Sequence, residues 1–525
     1  MNSRLKFGIS GLILILGLVG LIAGICILSL LPSIIDQRVK DAVILKPDGN
    51  VAKSWTEPPL KASIQFWVFN VTNPNEIIFQ GAKPALRQKG PYGFRERLTK
   101  RGVKFSPNNT VTFSARKEFY FDSELSCGTC KQDDVVTIPN IPYLTVMKLI
   151  RGQSAAKGIL DFVGGLLLRL VGEHPFVTEV TVRQLLFEGY EDQIFTLVNQ
   201  FKPGLLPEKM GLFYGRNGSE DGPYEVHSGA DDISKLGQII TWRGLKDLTS
   251  LQWWNPNYTQ ASMINGTDGG MYRPFLKKSD ALQIFARDIC RSTTLAYTSE
   301  IDYSGLVGYR YKPSPDVFSP NKANRGFCLP SNERYYSDKV QPQMDGGWCL
   351  PSGMLDVQKC YQNAPLVMTS PQFVMCPDEV IESIDGLYPP SEEFITSIDI
   401  EPTTGIVISA AKMLQINVAM YADSRKPLVF QKMKPAIIPI VWLNESIELD
   451  DSTRTYLYNQ VATSQQTAYT GSYAALGIGA ALFLIGLVAL AFLIVRSRRN
   501  TIADKEKNTP VHIDQSQVTS STGGT

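Results

Sequence analysis

The chain has 525 residues, of which 43% are hydrophobic, and its formal net charge is only +2 at pH 7. So small a charge, with no basic block outside the termini, argues against a nucleic-acid partner. The 42 glycines and 32 prolines are spread along the chain, which is typical of many short strands joined by turns. The length allows two or three domains or one large β-rich domain, and no repeat or low-complexity linker divides the middle.

The first apolar segment covers residues 7–35 and follows Arg4 and Lys6. A secretory signal peptide also begins basic and turns apolar. Its apolar region, however, spans only about 7–15 residues and precedes a cleavage site with small residues. The longer run therefore predicts an uncleaved transmembrane helix, preceded by a cytoplasmic N-terminus of residues 1–6.

Within this segment Gly20 and Gly24 form a small-xxx-small pair. Such a pair lets helix backbones approach closely in lipid, and its partner would be the second span or another copy of the chain. The general small-residue bias of membrane helices explains the pair equally well.

The second apolar segment, residues 473–495, contains no charge and ends at Arg496. At 1.5 Å per residue the run is long enough, as a helix, to cross a hydrocarbon core of about 30 Å. Basic residues at the outer end of both spans place both termini in the cytosol. Residues 36–472 are then a single extracellular or lumenal ectodomain, and residues 496–525 form a cytoplasmic tail.

The ectodomain holds seven of the eight cysteines, and in an oxidising compartment these predict disulfides. The odd number leaves at least one thiol unpaired, and connectivity does not follow from sequence alone. Cys127 and Cys130 have the spacing of a redox motif without the surrounding βαβ pattern. A structural bridge is therefore favoured there over catalytic exchange or a zinc site. The ectodomain cysteines are Cys127, Cys130, Cys290, Cys328, Cys349, Cys360 and Cys376.

Acceptor sequences for N-glycosylation also lie in the ectodomain, and each predicts a position at the surface. They fit a glycoprotein that is exposed outside the cytosol. The acceptor residues are Asn70, Asn108, Asn217, Asn257, Asn265 and Asn444.

The sequence predicts β-strands over most of the ectodomain. Residues 64–69 are β-branched and aromatic, and apolar residues alternate with polar ones along residues 414–420, which gives one apolar face. Residues 141–200 are the exception, because Lys157 and Arg169 fall on one face of a predicted amphipathic helix. This helical region is a candidate for partner contact or, equally, a helix that packs its apolar side on the strands.

Sequence motifs for catalysis are missing. No GxSxG elbow, HExxH motif, P-loop or strand-linked GxGxxG occurs in the chain. We therefore expect no enzyme activity, no catalytic residues, no bound metal and no cofactor.

Several short phrases, taken together, make the chain resemble the class B scavenger receptor family. That family includes the fatty acid translocase, the high-density-lipoprotein receptor and lysosomal integral membrane protein type two. Any one phrase is weak, but their order and spacing, with both spans, cover nearly the whole chain. They are Trp55–Pro59, Phe69–Asn73, Gly90–Tyr92, Leu185–Tyr190, Met263–Gly269, Asp288–Ser292, Gly386–Leu387, Asp399–Pro402 and Leu414–Asn417.

The resemblance implies a β-rich α+β fold: a large antiparallel β-barrel ectodomain with a helical apex bundle at about 141–200 and an internal hydrophobic tunnel. It also implies disulfides that join Cys290 to Cys360 and Cys328 to Cys349. Cys127 and Cys130 are extra to that pattern, and Cys376 becomes the unpaired thiol. The usual third bridge of the family would fall at residues 261 and 326, which are alanine and glycine here.

The function implied by the resemblance is the binding of lipids and lipoproteins and the transfer of lipid through the tunnel to the membrane. Partners would be fatty acids, sterols or carotenoids, lipoproteins, the membrane itself and another copy of the chain. The lysine pair with which some relatives bind anionic ligands falls at Val171 and Glu173, so that contact is not inherited in place. The remaining candidates for ligand contact near the apex are Lys148, Arg151, Lys157, Arg169 and His174.

Two other functions remain open on the sequence. One is a phagocytic or pattern-recognition receptor for microbial or apoptotic surfaces, and the other is a trafficking receptor for a lumenal hydrolase. The tail has no acidic dileucine address, so the plasma membrane is the expected location and the lysosomal membrane the less favoured one.

Overall fold

The computed structural model describes residues 3–152, 175–201, 203–204, 206–421 and 432–507. The chain divides into two compact units. The first combines Met1–Arg38 with Asn459–Thr525, and the second is Val39–Tyr458.

The first unit contains most of one long apolar helix, α1 (Ser3–Val43), and all of the other, α8 (Ser464–Lys507). Each includes an 18-residue window with a mean hydropathy of 2.9, so each is long and apolar enough to cross a membrane. The apolar runs predicted at 7–35 and 473–495 lie inside these helices.

Glycines occupy the positions where α1 and α8 approach each other. A Cβ added to Gly20 would lie 3.2 Å from the Gly479 Cα, and one added to Gly24 would lie 3.0 Å from the Leu476 Cα. A Cβ on Gly479 would lie only 2.6 Å from the Leu21 backbone nitrogen, so any side chain there would push the helices apart. Gly20 and Gly24 therefore face the second span of the same chain.

Strands dominate the second unit, as the turn-rich composition predicts. The strands are β1 (Leu60–Val71), β2 (Leu86–Ser106), β3 (Thr110–Phe121), β4 (Val135–Pro139), β5 (Phe176–Thr181), β6 (Glu220–His227), β7 (Ile239–Trp242), β8 (Ala281–Ala286), β9 (Arg291–Tyr303), β10 (Leu306–Pro313), β11 (Gln343–Met344), β12 (Gly347–Trp348), β13 (Met354–Asp356), β14 (Leu366–Thr369), β15 (Ser397–Ile400), β16 (Val407–Met420) and β17 (Ala436–Leu449). The helices are α2 (Asn50–Thr56), α3 (Pro74–Gln80), α4 (Ile141–Gly152), α5 (Gln193–Phe201), α6 (Asp378–Glu382) and α7 (Asp451–Tyr458).

Thirteen strands form one antiparallel sheet in the order β7-β6-β3-β2-β1-β17-β16-β15-β10-β9-β8, with β14 paired to β16 and β13 to β14. Within the described residues the edge strands β7 and β8 do not pair, so the closed barrel implied by the resemblance is not found there. An irregular segment lies between the two edges instead. The Ile239 N–H donates to the Gly266 carbonyl at 2.8 Å, and the Phe285 N–H donates to the Thr267 carbonyl at 2.9 Å.

Gly266 explains why this segment is not a regular strand. Its φ is +87°, in the left-handed region that glycine adopts without steric penalty. A Cβ at this position would lie 2.0 Å from the Gln283 carbonyl oxygen. The backbone therefore bends between the two edges, and the ladder is interrupted where a barrel would close.

Three disulfides link the second unit: Cys127–Cys130, Cys290–Cys360 and Cys328–Cys349. Two of them have the partners that the family resemblance implied. Cys376 is a free thiol whose pKa is raised by burial. At the position of the family's third bridge, a Cβ added to Gly326 would lie 2.7 Å from the Ala261 Cβ. The two residues are therefore neighbours, as the ends of a lost disulfide should be.

Candidate functional site

A cavity of about 380 Å³ lies inside the second unit, between the helices α4 and α5 and the strands β14, β16 and β17. Its wall is mainly apolar, because alternate residues of each strand face the same side. Leu414 and Ile416 of β16 lie opposite Leu443 and Val441 of β17. Apolar lining residues are Ile141, Phe195, Leu206, Met210, Leu212, Phe213, Trp242, Trp253, Leu366, Met368, Leu414, Ile416 and Leu443.

The helix α4 closes one side of the cavity. Asn140 precedes it and accepts a hydrogen bond from the Tyr143 N–H at 3.0 Å, which satisfies a free donor of the first turn. Residues 141–147 are all buried, so this helix packs into the core on every side of its first two turns. Thr145, which lines the cavity, donates its hydroxyl back to the Ile141 carbonyl at 2.7 Å.

One end of the cavity is polar. There the Arg216 guanidinium donates through Nη1 to Asp288 Oδ1 at 3.0 Å, and its Nη2 reaches the Tyr361 hydroxyl at 3.4 Å. The Tyr361 hydroxyl donates in turn to the Asp288 carbonyl oxygen at 2.8 Å. Cys360, which forms a disulfide with Cys290, anchors the loop that carries Tyr361.

From this end a chain of ion pairs continues across the sheet. We call Glu96, Lys117, Arg216, Asp288, Lys412 and Glu445 the ionic cluster. Lys412 Nζ donates to Asp288 at 2.6 Å and also contacts Glu445. Lys117 contacts Glu445 and approaches Glu96 at 3.1 Å. The cluster holds three cations and three carboxylates.

Protein surrounds the cluster, yet its packing is incomplete. The Glu96 side chain is fully inaccessible, but 13% of the Glu445 side chain and 39% of the Lys117 side chain remain accessible. Burial is the largest single influence on the pKa of Lys117 and of Glu445, although the opposite charges around each group together outweigh it.

The cluster fixes the ionisation of its carboxylates in opposite ways. Burial opposes the ionisation of Glu445, but Lys117 and Lys412 outweigh it and lower the pKa to about 2. Burial also opposes the ionisation of Asp288, and Lys412, Arg216 and Lys117 hold its pKa well below the usual range.

Glu96 behaves differently from these two carboxylates. Its side chain is fully inaccessible. Burial raises its pKa to about 7, against the attraction of Lys117. Although Lys117 lies within ion-pair distance, neither oxygen of Glu96 has a hydrogen-bond partner among the described residues. Glu96 is therefore the member of the cluster that gains a proton near neutral pH.

Of the predicted ligand residues, only Lys148 has a described side chain. It is half-buried in α4 and lines a crevice of about 20 Å³ with Asp356 and Glu333. The pKa of Asp356 is raised, because burial opposes its ionisation more strongly than the nearby Lys148 favours it. Arg151 lies in the last turn of α4 with its side chain outside the described set, and Lys157, Arg169 and His174 lie outside the described residues. Ligand contact by these residues stays a prediction.

The ionic cluster was not predicted from the sequence. The apolar alternation that begins at Leu414 was recognised, but not the lysine two residues earlier on the same face. A charge that interrupts an apolar strand face is the one signal in the sequence that could have indicated Lys412. Asp288 lies in one of the family phrases without a predicted role.

The predicted glycosylation sites divide into two groups. Asn108, Asn217 and Asn257 are exposed, whereas Asn70, Asn265 and Asn444 are partly buried. The side-chain oxygen of Asn444 is buried and has no hydrogen-bond partner among the described residues. Modification of the six sites stays a prediction.

The structure combines two terminal apolar helices with a β-rich body that contains an apolar cavity. This combination defines a class of membrane protein with two candidate spans. The model of the CD36 family matches residues 15–490, so the chain belongs to the CD36 family. "Lysosome membrane protein 2" of Mus musculus is 35% identical over 432 residues, which cover 82% of this chain and 84% of that protein. "Scavenger receptor class B member 1" of Sus scrofa is 31% identical over 480 residues, 90% of this chain and 88% of that protein. The resemblance to class B scavenger receptors is thus confirmed.

Proposed function

We propose that this chain is a lipid receptor that takes a lipid into the cavity beside α4 and passes it to the membrane without catalysis. The cavity of about 380 Å³ with its apolar wall carries the proposal. Each methylene that leaves water for such a wall gains about 0.8 kcal/mol, so an enclosed apolar route lowers the barrier between a carrier particle and a bilayer. The match to a protein named a class B scavenger receptor supports a receptor role.

A passage rather than a closed pocket is supported by what the cavity touches. Leu414 belongs to the core cluster around α4, and Trp242 belongs to a second core cluster. That second cluster also contains Val43, the last residue of α1, and Leu45. The cavity therefore borders both core clusters of the second unit, and a lipid that crosses it would move from one cluster toward the other.

The proposed topology places both termini in the cytosol and the glycosylated body outside it. Basic residues flank the outer ends of both candidate spans. We propose the plasma membrane as the location. The match to a protein named for the lysosome membrane keeps the lysosome as the alternative.

Blocking the cavity tests the proposal. In Leu414→Trp the indole would fill the space between β16 and the helices. We expect uptake of a fluorescent lipid from lipoprotein into cells to fall to background, while binding of the particles in the cold persists. Val307→Trp is the matched control, because Val307 is 43% exposed on β10 and does not line the cavity. Unchanged lipid uptake by a folded Leu414→Trp variant would contradict lipid transfer.

The same variant separates the alternative functions. A recognition receptor for microbial or apoptotic surfaces needs no open cavity, so phagocytic binding and uptake would survive in Leu414→Trp. A trafficking receptor would bind a lumenal hydrolase in a pH-dependent manner and reside in lysosomes. The 35% identity to Lysosome membrane protein 2 is the observation that favours this second candidate.

A further inference from the structure

The two candidate spans carry exposed cations at the same end of the helix pair. Arg4 and Lys6 lie in the first turn of α1, and Arg496, Arg498 and Arg499 follow the apolar run of α8. We call these five exposed residues the basic end. We propose that the basic end binds the phosphorylated head group of an inositol phospholipid in the cytosolic leaflet. The inference does not involve the cavity and rests only on the proposed orientation, in which both termini are cytosolic.

The packing of α1 against α8 brings the cations of the two helices to one level. A Cβ added to Gly486 would lie 2.6 Å from the Leu14 backbone nitrogen, and one added to Gly24 would lie 3.0 Å from the Leu476 Cα. Ten residues forward along α1 thus correspond to ten residues back along α8, as in an antiparallel pair of helices with equal rise. The same register, continued toward the start of α1, leads to the basic residues of both helices.

The basic end is compact along the helix axes. A further ten residues in the same register align Arg4 with Arg496. Lys6 lies two residues from this level on one side, and Arg499 lies three residues from it on the other. At 1.5 Å per residue the five cations therefore span about 8 Å along the axes. The Debye length at physiological ionic strength is also about 8 Å, so the five charges act together on a nearby anion.

The helices that carry the basic end supply no carboxylate close to it. Residues 1–35 and 464–503 contain neither aspartate nor glutamate. The next carboxylate along α8 belongs to Asp504, five residues after Arg499. Side chains on a helix meet at spacings of three and four residues, so Asp504 does not face Arg499. The basic end therefore presents five positive charges at the boundary of the apolar runs.

The composition of the basic end favours phosphate as the ligand group. Four of its five cations are arginines. A guanidinium donates two parallel hydrogen bonds to a phosphate, whereas an ammonium group acts as a point charge. An inositol phospholipid with added phosphate groups offers several such acceptors, and phosphatidylserine offers fewer. Clusters of about four to eight basic residues directly on the cytosolic side of a span are typical of sites that bind anionic lipids.

A comparison of lipids that differ only in the head group tests this assignment. The full-length chain in detergent micelles is titrated with phosphatidylinositol bisphosphate, phosphatidylserine or phosphatidylcholine, all with the same acyl chains. Native mass spectrometry then counts the lipids bound at each concentration. We expect the bisphosphate lipid to bind most tightly and phosphatidylcholine least. Because the acyl chains are identical, binding that depends on the chains alone is common to all three lipids.

Variants assign the preference to the basic end. The triple variant Arg496→Gln, Arg498→Gln and Arg499→Gln should bind the bisphosphate lipid on the order of a hundredfold more weakly, since each cation near an anionic surface contributes about fivefold. Replacing the same three arginines by lysine keeps the charge but removes the planar forks. The lysine variant should retain binding and lose part of the preference for the bisphosphate lipid over phosphatidylserine.

The matched control removes three exposed cations from the part of the chain beyond the other end of the first apolar run. Arg38→Gln, Lys46→Gln and Lys53→Gln together should leave the binding of all three lipids unchanged. Equal binding of the bisphosphate lipid and phosphatidylserine by the wild type would overturn the assignment to an inositol phospholipid. An unchanged preference in the triple glutamine variant would overturn the basic end as the site.

A separate measurement checks the orientation on which the inference rests. An epitope tag after Thr525 should bind antibody only after cells are permeabilised. Binding of antibody on intact cells would refute the cytosolic placement and with it the proposed site. The uptake assay with Leu414→Trp tests lipid transfer independently, so failure of one proposal is distinguishable from failure of the other.

Discussion

One face of the strands β16 and β17 carries paired charges in one part and apolar side chains in the next. At one register position Lys412 lies across from Glu445, and two residues further along Leu414 lies across from Leu443. Two residues in a strand correspond to about 7 Å. Within that distance the interior changes from paired charges to an apolar wall that leaves an empty space.

The difference shows how one sheet both holds itself together and leaves room for a ligand. Each charge of the ionic cluster has an opposite charge within ion-pair distance, since an unpaired buried charge would be unstable. Apolar side chains need no specific partner, so their packing can stop short of filling the interior. The cluster therefore fixes the geometry of the strands. The apolar part of the same face leaves space that a ligand could occupy.

The largest effect is expected from removing a charge at the centre of the cluster. Asp288→Asn leaves Arg216 and Lys412 without their shared carboxylate. Breaking a buried ion pair from one side destabilises a fold by about 3–5 kcal/mol, and we expect the lower end of that range because 32% of the Asp288 side chain is accessible. Thermal unfolding of the full-length chain should show a clearly lowered midpoint.

An exposed ion pair provides the control for this substitution. Glu57 pairs with Arg97 at 2.6 Å, but the two side chains are 62% and 55% accessible. Glu57→Gln should leave the unfolding midpoint unchanged, since water solvates both charges. Equal midpoints for Asp288→Asn and Glu57→Gln would show that the cluster is solvated and does not fix the strands.

Glu96 should make the stability of the cluster depend on pH. Its pKa is raised to about 7 in the folded chain from an ordinary value of 4.5, so the folded state holds its proton more tightly than the unfolded state does. This contribution to stability is fully present below pH 4.5 and is lost as the pH rises through about 7. It amounts to at most about 3 kcal/mol. Glu96→Gln should remove that loss when unfolding by guanidinium is compared at pH 5 and pH 8.

The charged groups that face Glu96 set the pH range over which its contribution to stability is lost. Lys117 lowers its pKa and Glu445 raises it, with a weaker lowering by Lys412. Glu445 itself has its pKa lowered to about 2, so its own contribution is lost only as the pH falls below 4.5. An unchanged pH dependence in Glu96→Gln would mean that Glu96 is already ionised at neutral pH.

Local pattern was enough to predict much of this fold. Continuous apolar runs predicted the two long helices, and alternation along residues 414–420 predicted the strand β16. The alternating pattern did not predict that two polar side chains of the same strand are buried. Gln415 and Asn417, on the opposite face of β16, are fully buried, and their amides bond each other and the β14 backbone. An amide looks like a surface residue in sequence, because its buried partners lie far along the chain.

Long-range geometry was beyond the reach of the sequence. Lys117 contacts Glu445 although 328 positions separate them and two strands, β2 and β1, lie between their strands in the sheet. Only the curvature of the sheet brings these side chains together. The cavity has the same origin, because it is a space between elements and no residue pattern specifies it. The disulfide partners came from the family resemblance, since spacing alone left them open.

The smallest effect concerns the apolar end of the same strand face. Leu414 is buried but lines the cavity, so one side of its side chain already lacks packing partners. Leu295 in β9 is equally apolar and buried, and it lies in a core cluster away from the cavity. Leucine-to-alanine changes in a core destabilise by about 2–5 kcal/mol, and the loss grows with the cavity that is left. We expect Leu414→Ala to lower the free energy of unfolding by about 2 kcal/mol, and Leu295→Ala to lower it by an amount nearer the upper end of that range. If chemical unfolding of the two variants gives equal losses, the wall at Leu414 is as tightly packed in solution as any other part of the core, and the space for a lipid is absent.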